Sequence, residues 1–321
     1  MSVFGKDLRM MFSTPPISLP ATYALFVAFA STLTLIAPAS AADPLLEEKV
    51  DCTDCLQFER IEPAIFTMGS DVQGDQMGPD ELPAVEITIA EPFMMAVTQV
   101  TRTQFAQFAE ATGHRTRLGC WTYTQYGWAQ DEAADWRAPG FEQTESDPVV
   151  CVSREDALAF IAWASDRDGK SYRLPSEAEW HLASAANLHE PFWGTRYDVC
   201  NFGNVPDLTS KNKTAKAGEP CDDGALYTAP VASYQPNPNG LYDMIGNAWE
   251  WTADCWTGSY EDLPADGSPL SDAACSGIAL RGHSWTDAPG PVRPQTRYSL
   301  SPVARQSMVS FRLAMDVPAA D

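Results

Sequence analysis

Basic side chains are scarce in this 321-residue chain, which has 21 lysine and arginine residues against 43 aspartate and glutamate residues. The formal net charge at pH 7 is therefore −22. Such a charge repels nucleic acid and anionic lipid, and it favours solubility and hard cations such as calcium. We expect no nucleic-acid partner, and solvation of the surface accounts for most of the acidic surplus.

The chain also lacks a long Gly/Ser linker, a low-complexity tract and an internal repeat. A chain of this length can bury one large core, so we predict a single domain. Its 25 prolines and 20 glycines are set among 10 tryptophans and 10 tyrosines. This composition predicts many turns and short elements around packed aromatic rings.

A hydrophobic run long enough to span a membrane is missing as well. The apolar run from Tyr23 to Ile36 is shorter than the roughly 20 residues that a transmembrane helix needs. Lys6 and Arg9 precede it, and the small-residue segment "APASAA" follows it. This order is typical of a cleaved signal peptide over residues 1–42. We predict a periplasmic or secreted protein with no membrane span after cleavage; an uncleaved anchor is the alternative.

All eight cysteines follow this leader. An even number in an oxidising compartment indicates disulfides. Their order suggests local pairs, although sequence leaves the connectivity open: Cys52 with Cys55, Cys120 with Cys151, Cys200 with Cys221, and Cys255 with Cys275. The segment "DCTDC" could instead be a redox or metal motif, but it lacks a thioredoxin-like context and a second pair at zinc-site spacing.

Capping motifs predict three helices. Thr101 with Gln104, Ser153 with Asp156, and Ser176 with Glu179 have the spacing of a capping box. Gly113 and Gly169 would end the first two helices. We expect inward faces formed by Phe105, Phe108, Ala109 and Thr112 in the first helix, and by Leu158, Ile161 and Ala162 in the second.

Strand signals are short. Val85, Ile87 and Ile89 alternate with Glu86 and Thr88, which predicts a strand with one apolar face. The stretch 119–146 has no period and is predicted to be a surface loop near a site. The runs "APVASY", "IALRG" and "SFRLAMD" are predicted strands, which makes the fold class α+β with low regular secondary structure.

Seven ordered motifs resemble those of the formylglycine-generating enzyme, or sulfatase-modifying factor, superfamily. They are "FTMGS", "VTQVTRTQFAQFAEATGH", "DPVVCVSREDALAFIAWA", "YRLPSEAEW", "TAPVASYQPNPNGLYDMIGNAWEWTADCW", "LRGHSW" and "SFRLA". The resemblance implies one α+β domain with a variant C-type lectin fold over residues 58–317. An N-terminal segment, 43–57, with Cys52 and Cys55 would precede it, and a tail, 318–321, would follow.

The segment "LYDMIGNAWEW" has the residues of a calcium loop. Asp243 and Glu250 are seven positions apart with Gly246 between them, so a tight turn can direct both carboxylates and backbone carbonyls at one cation. The resemblance implies that the Asp243 and Glu250 side chains and the carbonyls of Gly246 and Ala248 bind calcium. The alternative is that Asp243 is a turn residue bonded to its own backbone.

A second calcium site is implied by the resemblance in the segments "GNVPD" and "CDDGALY". Its ligands would be the side chains of Asn204 and Asp223 and the carbonyls of Val205 and Ala225. Hard oxygen ligands suit calcium better than a transition metal. Asp223 has the same alternative role as a turn residue.

The segment "LRGHSWTDAPGPVR" corresponds to the superfamily's copper site but departs from it. The resemblance implies a pair of cysteines that bind copper(I) and activate oxygen, and here Asp287 and Val292 occupy those two positions. Copper(I) requires soft thiolate ligands, which a carboxylate and a valine cannot provide. Copper is therefore predicted to be absent. His283 replaces a family glycine, and Ala185 stands where many members have arginine.

The same segment offers candidates for a different catalytic site, namely His283, Trp285 and Asp287. A separation of four would align His283 with Asp287 on a helix, but Pro289 and Pro291 argue against a helix. The alternative is a loop whose polar groups bond the backbone.

Three arginines, Arg293, Arg297 and Arg305, follow this segment. Beside Trp285, guanidinium groups can hold a carboxylate or a carbonyl-rich peptide. Trp285, Arg293 and Arg297 are therefore predicted to bind a peptide or small-molecule ligand. Ion pairing with the surplus of acids is the alternative.

Three functions remain open. The first is an exported calcium-binding protein that binds or matures a ligand without copper chemistry. The second is a periplasmic oxidase, of the formylglycine-generating or siderophore-maturation type, that acts on a peptide through a noncanonical site. The third is an active formylglycine-generating oxidase, which the missing cysteine pair disfavours. The chain has only four histidines and no N-terminal helical bundle, which argues against the superfamily's iron-dependent sulfoxide synthases. Sequence leaves the oligomeric state open.

Overall fold

The computed structural model describes residues 55–71, 78–124, 127–185, 194–210, 218–271, 275–287 and 293–317. Within these ranges the helices are α1 (Arg102–Thr112), α2 (Arg154–Asp168) and α3 (Glu177–Ala185). The strands are β1 (Phe58–Ile61), β2 (Ala64–Met68), β3 (Val85–Ile89), β4 (Phe93–Ala96), β5 (Cys120–Thr124), β6 (Gly127–Asp131), β7 (Tyr172–Arg173), β8 (Trp249–Cys255), β9 (Ile278–Arg281), β10 (Arg297–Leu300), β11 (Val309–Ser310) and β12 (Ala314–Asp316). Short elements of both kinds confirm the α+β prediction.

The helices begin where the capping motifs predict. Thr101 and Ser153 each accept a hydrogen bond from the backbone three residues later, and Gly113 and Gly169 end α1 and α2 in the left-handed conformation. Ser176 and Glu179 bond each other's backbone at the start of α3. The caps therefore set all three helix starts.

The predicted inward faces are confirmed in part, because Phe105, Phe108, Ala109 and Ile161 are buried. Thr112 and Ala162 are exposed, and Leu158 is 39% exposed. The buried residues of α2 are Asp156, Ala157, Phe160, Ile161 and Ala164. Asp156 also lies inward, where its carboxylate accepts hydrogen bonds from the Ser153 hydroxyl and from Arg305.

Two four-stranded sheets carry most of the pairing. One has the order β1-β4-β12-β7, and the other has the order β10-β9-β8-β11, in which β8 and β11 are parallel. Strands β2 and β3 form a separate hairpin-like pair, with Ile87 and Ile89 buried as predicted. Strand β9 delivers the chain directly to the "GHSW" segment, so the second sheet positions the candidate site.

Two irregular stretches differ from the sequence-based prediction. The predicted loop 119–146 contains the antiparallel pair β5–β6, in which Tyr123 lies opposite Trp128 with ring centroids 5.6 Å apart. Aromatic cross-strand pairs stabilise a hairpin without a clean alternating pattern. The segment "APVASY" is not a strand; side chains bond its backbone instead, with Asn247 accepting from the Ala229 N–H and Asp243 from the Ala232 N–H.

Three of the four predicted disulfides are confirmed: Cys120–Cys151, Cys200–Cys221 and Cys255–Cys275. Cys52 lies outside the described residues, so its pairing with Cys55 stays a prediction, as do the signal peptide and the 318–321 tail.

The largest group of buried apolar residues joins α1 and α2 to the second sheet. Phe105, Phe160, Trp251, Trp285 and Phe311 belong to it. Burial of such side chains stabilises a fold by about 1.5–3 kcal/mol each. Within the described ranges there is no helix whose length and apolar character would let it cross a membrane.

Candidate functional site

The "GHSW" segment begins with two residues at positive φ. Gly282 has φ 109° and His283 has φ 65°. A Cβ on Gly282 would lie 3.1 Å from the Trp180 ring, so both the backbone conformation and the packing favour glycine. The left-handed turn reverses the chain after β9 and brings position 287 back over β8.

Asp287 is held by four hydrogen bonds. Its carboxylate accepts from the Ser284 N–H at 2.8 Å, the Ser284 hydroxyl at 2.9 Å and the Trp249 Nε1–H at 2.8 Å. His283 Nδ1 lies 2.9 Å from Oδ2. A carboxylate with this many donors is firmly oriented. The segment therefore presents a fixed, hard oxygen group at position 287.

His283 and Asp287 therefore do contact each other, through a turn rather than a helix. The other ring nitrogen, Nε2, accepts from the Arg293 N–H at 3.2 Å and lies 3.1 Å from the Arg293 carbonyl oxygen. This pattern favours the tautomer with the proton on Nδ1. Both ring nitrogens already have protein partners, so the pair ties two parts of the segment together. A catalytic role for His283, Asp287 and Trp285 stays a prediction.

Trp285 lies inside the aromatic core. It is only 2% exposed, and its Nε1–H donates to the Ser307 carbonyl at 3.3 Å. The rings of Tyr227, Phe141 and Tyr123 meet it edge-on at 5.1, 5.4 and 6.2 Å. Edge-to-face contacts of this kind stabilise packing. Trp285 therefore supports neighbouring aromatic rings and does not form an open wall for a ligand.

The predicted ligand-binding arginines are already paired with carboxylates. Arg293 forms a two-pronged ion pair with Glu81, both bonds being 2.6 Å. Arg297 forms another with Glu177, and both side chains are fully buried. Arg305 pairs with Asp156 at 2.9 Å. This geometry favours the ion-pairing alternative over ligand binding for all three arginines.

The Arg297 pair belongs to a buried polar cluster. Arg281 also bonds Glu177, at 3.0 Å, and it contacts the Tyr260 hydroxyl, His181 Nδ1 and the Pro294 carbonyl as well. Burial opposes the charge of Glu177, but Arg297 and Arg281 outweigh that effect and hold its pKa below its ordinary value. Burial and the Arg281 charge lower the pKa of His181 to about 3, so its imidazole is neutral. The sequence contains no local signal for this cluster.

Asp243, the first predicted calcium ligand, fits a cation. Its backbone has φ 54°, and Oδ2 accepts from the Ala232 N–H at 2.8 Å. Its Oδ1 is buried and has no hydrogen-bond partner among the described residues. Burial raises the pKa of this carboxyl to about 6. A buried, unpartnered carboxylate oxygen is costly, and a hard cation would offset that cost.

The other ligands predicted for this site have protein partners. Glu250 accepts two bonds from Arg312 at 2.7 Å and one from the Trp180 Nε1–H at 2.7 Å. The Ala248 carbonyl accepts from Gln99 Nε2 at 2.8 Å. Gly246, at φ 80°, brings the loop against the Asn204 carbonyl, where a Cβ would clash. Of the two side chains in this predicted ligand set, Asp243 is the one with an oxygen that has no hydrogen-bond partner among the described residues.

The second predicted calcium site has two carboxylates rather than one. Ligand atoms of Asp207, Asp223 and Cys200 lie within 4.8 Å of one another. The Cys200 sulfur is used in a disulfide, which leaves the two aspartates. Both accept backbone N–H bonds: Asp207 from Asp223 at 2.7 Å, and Asp223 from Val205 at 2.8 Å and Ala225 at 2.9 Å. Asp207 is the acid of "GNVPD" that the sequence reasoning missed.

The two aspartates form no ion pair within the described part of the chain. Burial is the main cause that raises the pKa of Asp223, to about 7, and the charges of Asp207 and Asp222 add to it. Asn204 donates from Nδ2 to the Tyr227 carbonyl at 2.6 Å, so its amide also fixes the loop. The arrangement concentrates negative charge on one small volume, which suits a hard cation.

The sequence model of the sulfatase-modifying factor enzyme 1-like domain family matches residues 48–317. The chain is similar to the formylglycine-generating enzyme of Streptomyces coelicolor, with 31% identity over 80% of this chain and 88% of the relative. It is also similar to the inactive C-alpha-formylglycine-generating enzyme 2 of Bos taurus, with 30% identity over 78% and 84% of the two chains.

Solved structures agree on the fold. The structure of PvdO from Pseudomonas aeruginosa matches with a TM-score of 0.69 and 31% identity, covering 83% of this chain and 97% of that one. The Treponema denticola variable protein 1 matches with a TM-score of 0.58 at 19% identity, which bears on the fold alone. One of the two sequence relatives is named an enzyme and the other an inactive enzyme, and both match this chain at about the same identity. Sequence similarity therefore does not decide whether this chain is an enzyme.

Proposed function

Because this chain belongs to the sulfatase-modifying factor enzyme 1-like domain family, we propose that it is an exported, calcium-binding member that binds or matures a peptide or small-molecule ligand. In this proposal it does not carry out copper-dependent oxidation. The proposal retains the family fold and separates it from the family's oxidase chemistry.

The observation that carries the proposal is the environment of Asp287. A copper(I) site would need a thiolate at this position, and the chain has a carboxylate bonded to Ser284, Trp249 and His283. These donors match a hard anion and not a soft metal ligand. The second family cysteine position is Val292, which lies outside the described residues.

The calcium part of the proposal is supported by Asp243 and by the Asp207 and Asp223 pair. Asp243 Oδ1 would bind a cation in the first loop. The two aspartates would bind a cation in the second, where the Cys200–Cys221 disulfide joins the two loop ends. No described side chain forms an ion pair with these carboxylates. A bound cation would supply the missing positive charge and would make both loops more rigid.

Export is supported by the three described disulfides, which persist in oxidising compartments. The predicted leader, residues 1–42, lies outside the described residues. Location in the periplasm or outside the cell is therefore a proposal that rests on cysteine pairing and on the leader sequence.

A maturation enzyme with a noncanonical site is the second candidate. The contact between His283 and Asp287 at 2.9 Å favours it, because an imidazole oriented by a carboxylate is a common acid/base arrangement. The bond between His283 Nε2 and the Arg293 N–H would have to open before that nitrogen could take a substrate proton.

The test of the main proposal is an assay for formylglycine. Purified protein would be loaded with copper(I), incubated with a peptide containing a sulfatase-type cysteine motif, and analysed by mass spectrometry. The formylglycine-generating enzyme of Streptomyces coelicolor would be the positive control. We expect conversion by the control and none by this protein. Formylglycine formed by this protein at a rate comparable to the control would refute the proposal.

A further inference from the structure

Exposed apolar side chains gather on one face of this protein. In the described part of the chain seven large apolar side chains are well exposed, and four of them lie on neighbouring segments: Leu118 (68%), Trp121 (44%), Leu158 (39%) and Val303 (46%). Single exposed apolar residues are common on any protein, whereas a group of them marks an interaction surface. We call these four residues the Trp121 face.

Backbone hydrogen bonds join two of the segments that carry this face. The Trp121 N–H donates to the Arg305 carbonyl at 3.0 Å, and the Ser307 N–H donates to the Trp121 carbonyl at 2.9 Å. Val303 lies two residues before Arg305, and Leu118 lies three residues before Trp121. Three of the four apolar side chains therefore come from two segments in direct contact.

Helix α2 is tied to the same place. Its first residue, Arg154, donates its backbone N–H to the Pro302 carbonyl at 3.0 Å. The Arg305 guanidinium pairs with Asp156 of α2 at 2.9 Å, and both side chains are buried. Leu158 follows Arg154 by one helical turn. A face supported in this way is already ordered, so a partner does not have to order it on binding.

Exposed charges of both signs border the face. Arg115 and Arg117 are exposed and come just before it in the chain, and Glu155 is exposed at the start of α2. Glu132 is exposed as well, with its carboxylate beside Gly119. None of these four charged side chains forms an ion pair with a described residue. The two arginines thus have no carboxylate partner there, although the chain has 43 acidic residues for 21 basic ones.

This combination fits a second copy of the same chain. In a two-fold dimer the same face occurs on both sides, so the arginines of each copy can meet the glutamates of the other. A wholly acidic partner would repel Glu132 and Glu155, and a wholly basic partner would repel Arg115 and Arg117. A face that combines apolar side chains with unpaired charges of both signs is therefore complementary to itself.

We propose that this protein forms a two-fold dimer in which the Trp121 face of one copy packs against the Trp121 face of the other. The arginines beside the face of each copy pair with the glutamates of the second copy. Tryptophan and arginine are residue types that often carry much of the binding energy at protein interfaces. The inference goes beyond the proposed function, because neither calcium nor a ligand takes part in it.

Analytical ultracentrifugation of the mature protein tests the inference. Sedimentation velocity would be measured between about 1 and 100 µM protein at about 0.15 M salt, which screens the long-range repulsion between two acidic chains. We expect a reversible monomer–dimer equilibrium with a dissociation constant on the order of 10 µM.

Trp121→Glu places a carboxylate within the apolar group and is expected to weaken the dimer by at least about tenfold. Ile65→Glu is the matched control, because Ile65 is 64% exposed and lies on β2, outside the Trp121 face. The control should dimerise like wild type. Melting temperatures of both variants would check that each retains its fold.

Two charge-reversed variants test the pairing without changing the apolar residues. One combines Arg115→Glu with Arg117→Glu, and the other combines Glu132→Arg with Glu155→Arg. Each variant alone should sediment as a monomer, because like charges then face one another across the two-fold axis. The arginine-reversed variant, carrying a fluorophore, should sediment as a dimer when the glutamate-reversed variant is added.

A third variant controls for attraction through net charge alone. Glu86→Arg with Glu91→Arg reverses two exposed carboxylates in and after β3, with the same change in net charge. The labelled arginine-reversed variant should stay monomeric in its presence. A wild-type protein that remains monomeric throughout the concentration range, an association that Trp121→Glu leaves intact, or labelled protein that responds equally to both additions would overturn the inference.

Discussion

Buried carboxylates occur in two regions of this protein, and the regions differ in what faces them. In the core, Glu177 pairs with Arg297 and Arg281, Glu250 with Arg312, and Asp156 with Arg305, whereas Asp254 pairs with no described arginine. In the loops around residues 200–247, the buried Asp207 and Asp243 and the half-buried Asp223 have no ion pair with any described side chain. Burial raises the pKa of Asp223 to about 7 and of Asp243 to about 6.

The two regions neutralise their carboxylates in different ways. Taking a carboxylate out of water costs several kcal/mol unless a cation or a proton neutralises it. Most of these core carboxylates have an arginine as their counter-charge. In the loops Glu219 pairs with Arg196, but Asp207, Asp223 and Asp243 have no described arginine or lysine within ion-pair distance, so we expect them to take a cation from solution, or a proton when that cation is removed.

The largest effect is expected from Glu177→Gln. The substitution leaves Arg281 and Arg297 buried without their carboxylate, which typically costs about 3–5 kcal/mol. Urea unfolding would measure the loss. The matched control is Glu62→Gln, which removes a carboxylate from an exposed pair with Arg60 and should change the unfolding free energy by less than about 1 kcal/mol. Similar losses in both variants would contradict the role given to the core pairs.

Asp254 sharpens the comparison, since it is a buried core carboxylate bonded by the backbone of Glu177 and Leu270 and by no arginine. Burial, followed by the charge of Glu177, raises its pKa to about 7. The folded state therefore binds this proton more tightly than the unfolded state. The stabilisation is present below about pH 4 and is lost as the pH rises to 7, by an amount on the order of 2–4 kcal/mol.

The measurement for Asp254 compares wild type with Asp254→Asn in urea unfolding between pH 4 and pH 8. The variant cannot titrate at this position, so the difference in unfolding free energy between the two proteins should change with pH by the amount stated. The two oxygens of Asp254 accept hydrogen bonds from the Glu177 and Leu270 N–H groups, and in the variant an amide nitrogen replaces one of them. The variant therefore loses some stability at every pH, and the pH dependence of the difference is the quantity to compare. A difference that stays constant across this range would show that Asp254 has an ordinary pKa.

A smaller effect is expected from calcium. A cation that binds only the folded state, at 100 times its dissociation constant, would stabilise the protein by about 2.7 kcal/mol and raise its melting temperature. Asp243→Asn should reduce this gain. In EDTA the same variant should be at least as stable as wild type, because it buries a neutral amide in place of a carboxylate without an ion pair.

The matched control for the calcium experiment is Asp222→Asn. Asp222 precedes a predicted ligand, yet its side chain is exposed and bonds Thr209 and the Gly224 N–H. The control should retain most of the calcium response. If calcium leaves the melting temperature of wild type unchanged, or if Asp243→Asn responds as strongly as wild type, the loop carboxylates do not bind calcium.

Local chemistry made part of this fold predictable. Thr101, Ser153 and Ser176 open helices because a cap needs only a side chain and a backbone a few residues away. Which residues of each helix face the core was less predictable. Asp156, for example, lies inward beside Arg305, which is 149 residues further along the chain. The β5–β6 pair was missed because its stability comes from rings such as Tyr123 and Trp128 meeting across two strands.

The candidate site divides in the same way. Asp287 could be singled out from the motif around it, because a carboxylate at a position where the resemblance implies a cysteine is a property of one residue. The burial of Trp285 and the pairing of Arg293 with Glu81 could not, since the partners lie far apart in the chain.

The amino-acid sequence was enough to predict the fold class, the family and the helix starts. Each depends on residue types at short spacing or in a recognisable order. Only the tertiary structure decided which charges neutralise one another, because Coulomb pairing depends on distance in space and on burial. It thereby joined Arg297 to Glu177 and left Asp243 Oδ1 without a hydrogen-bond partner among the described residues.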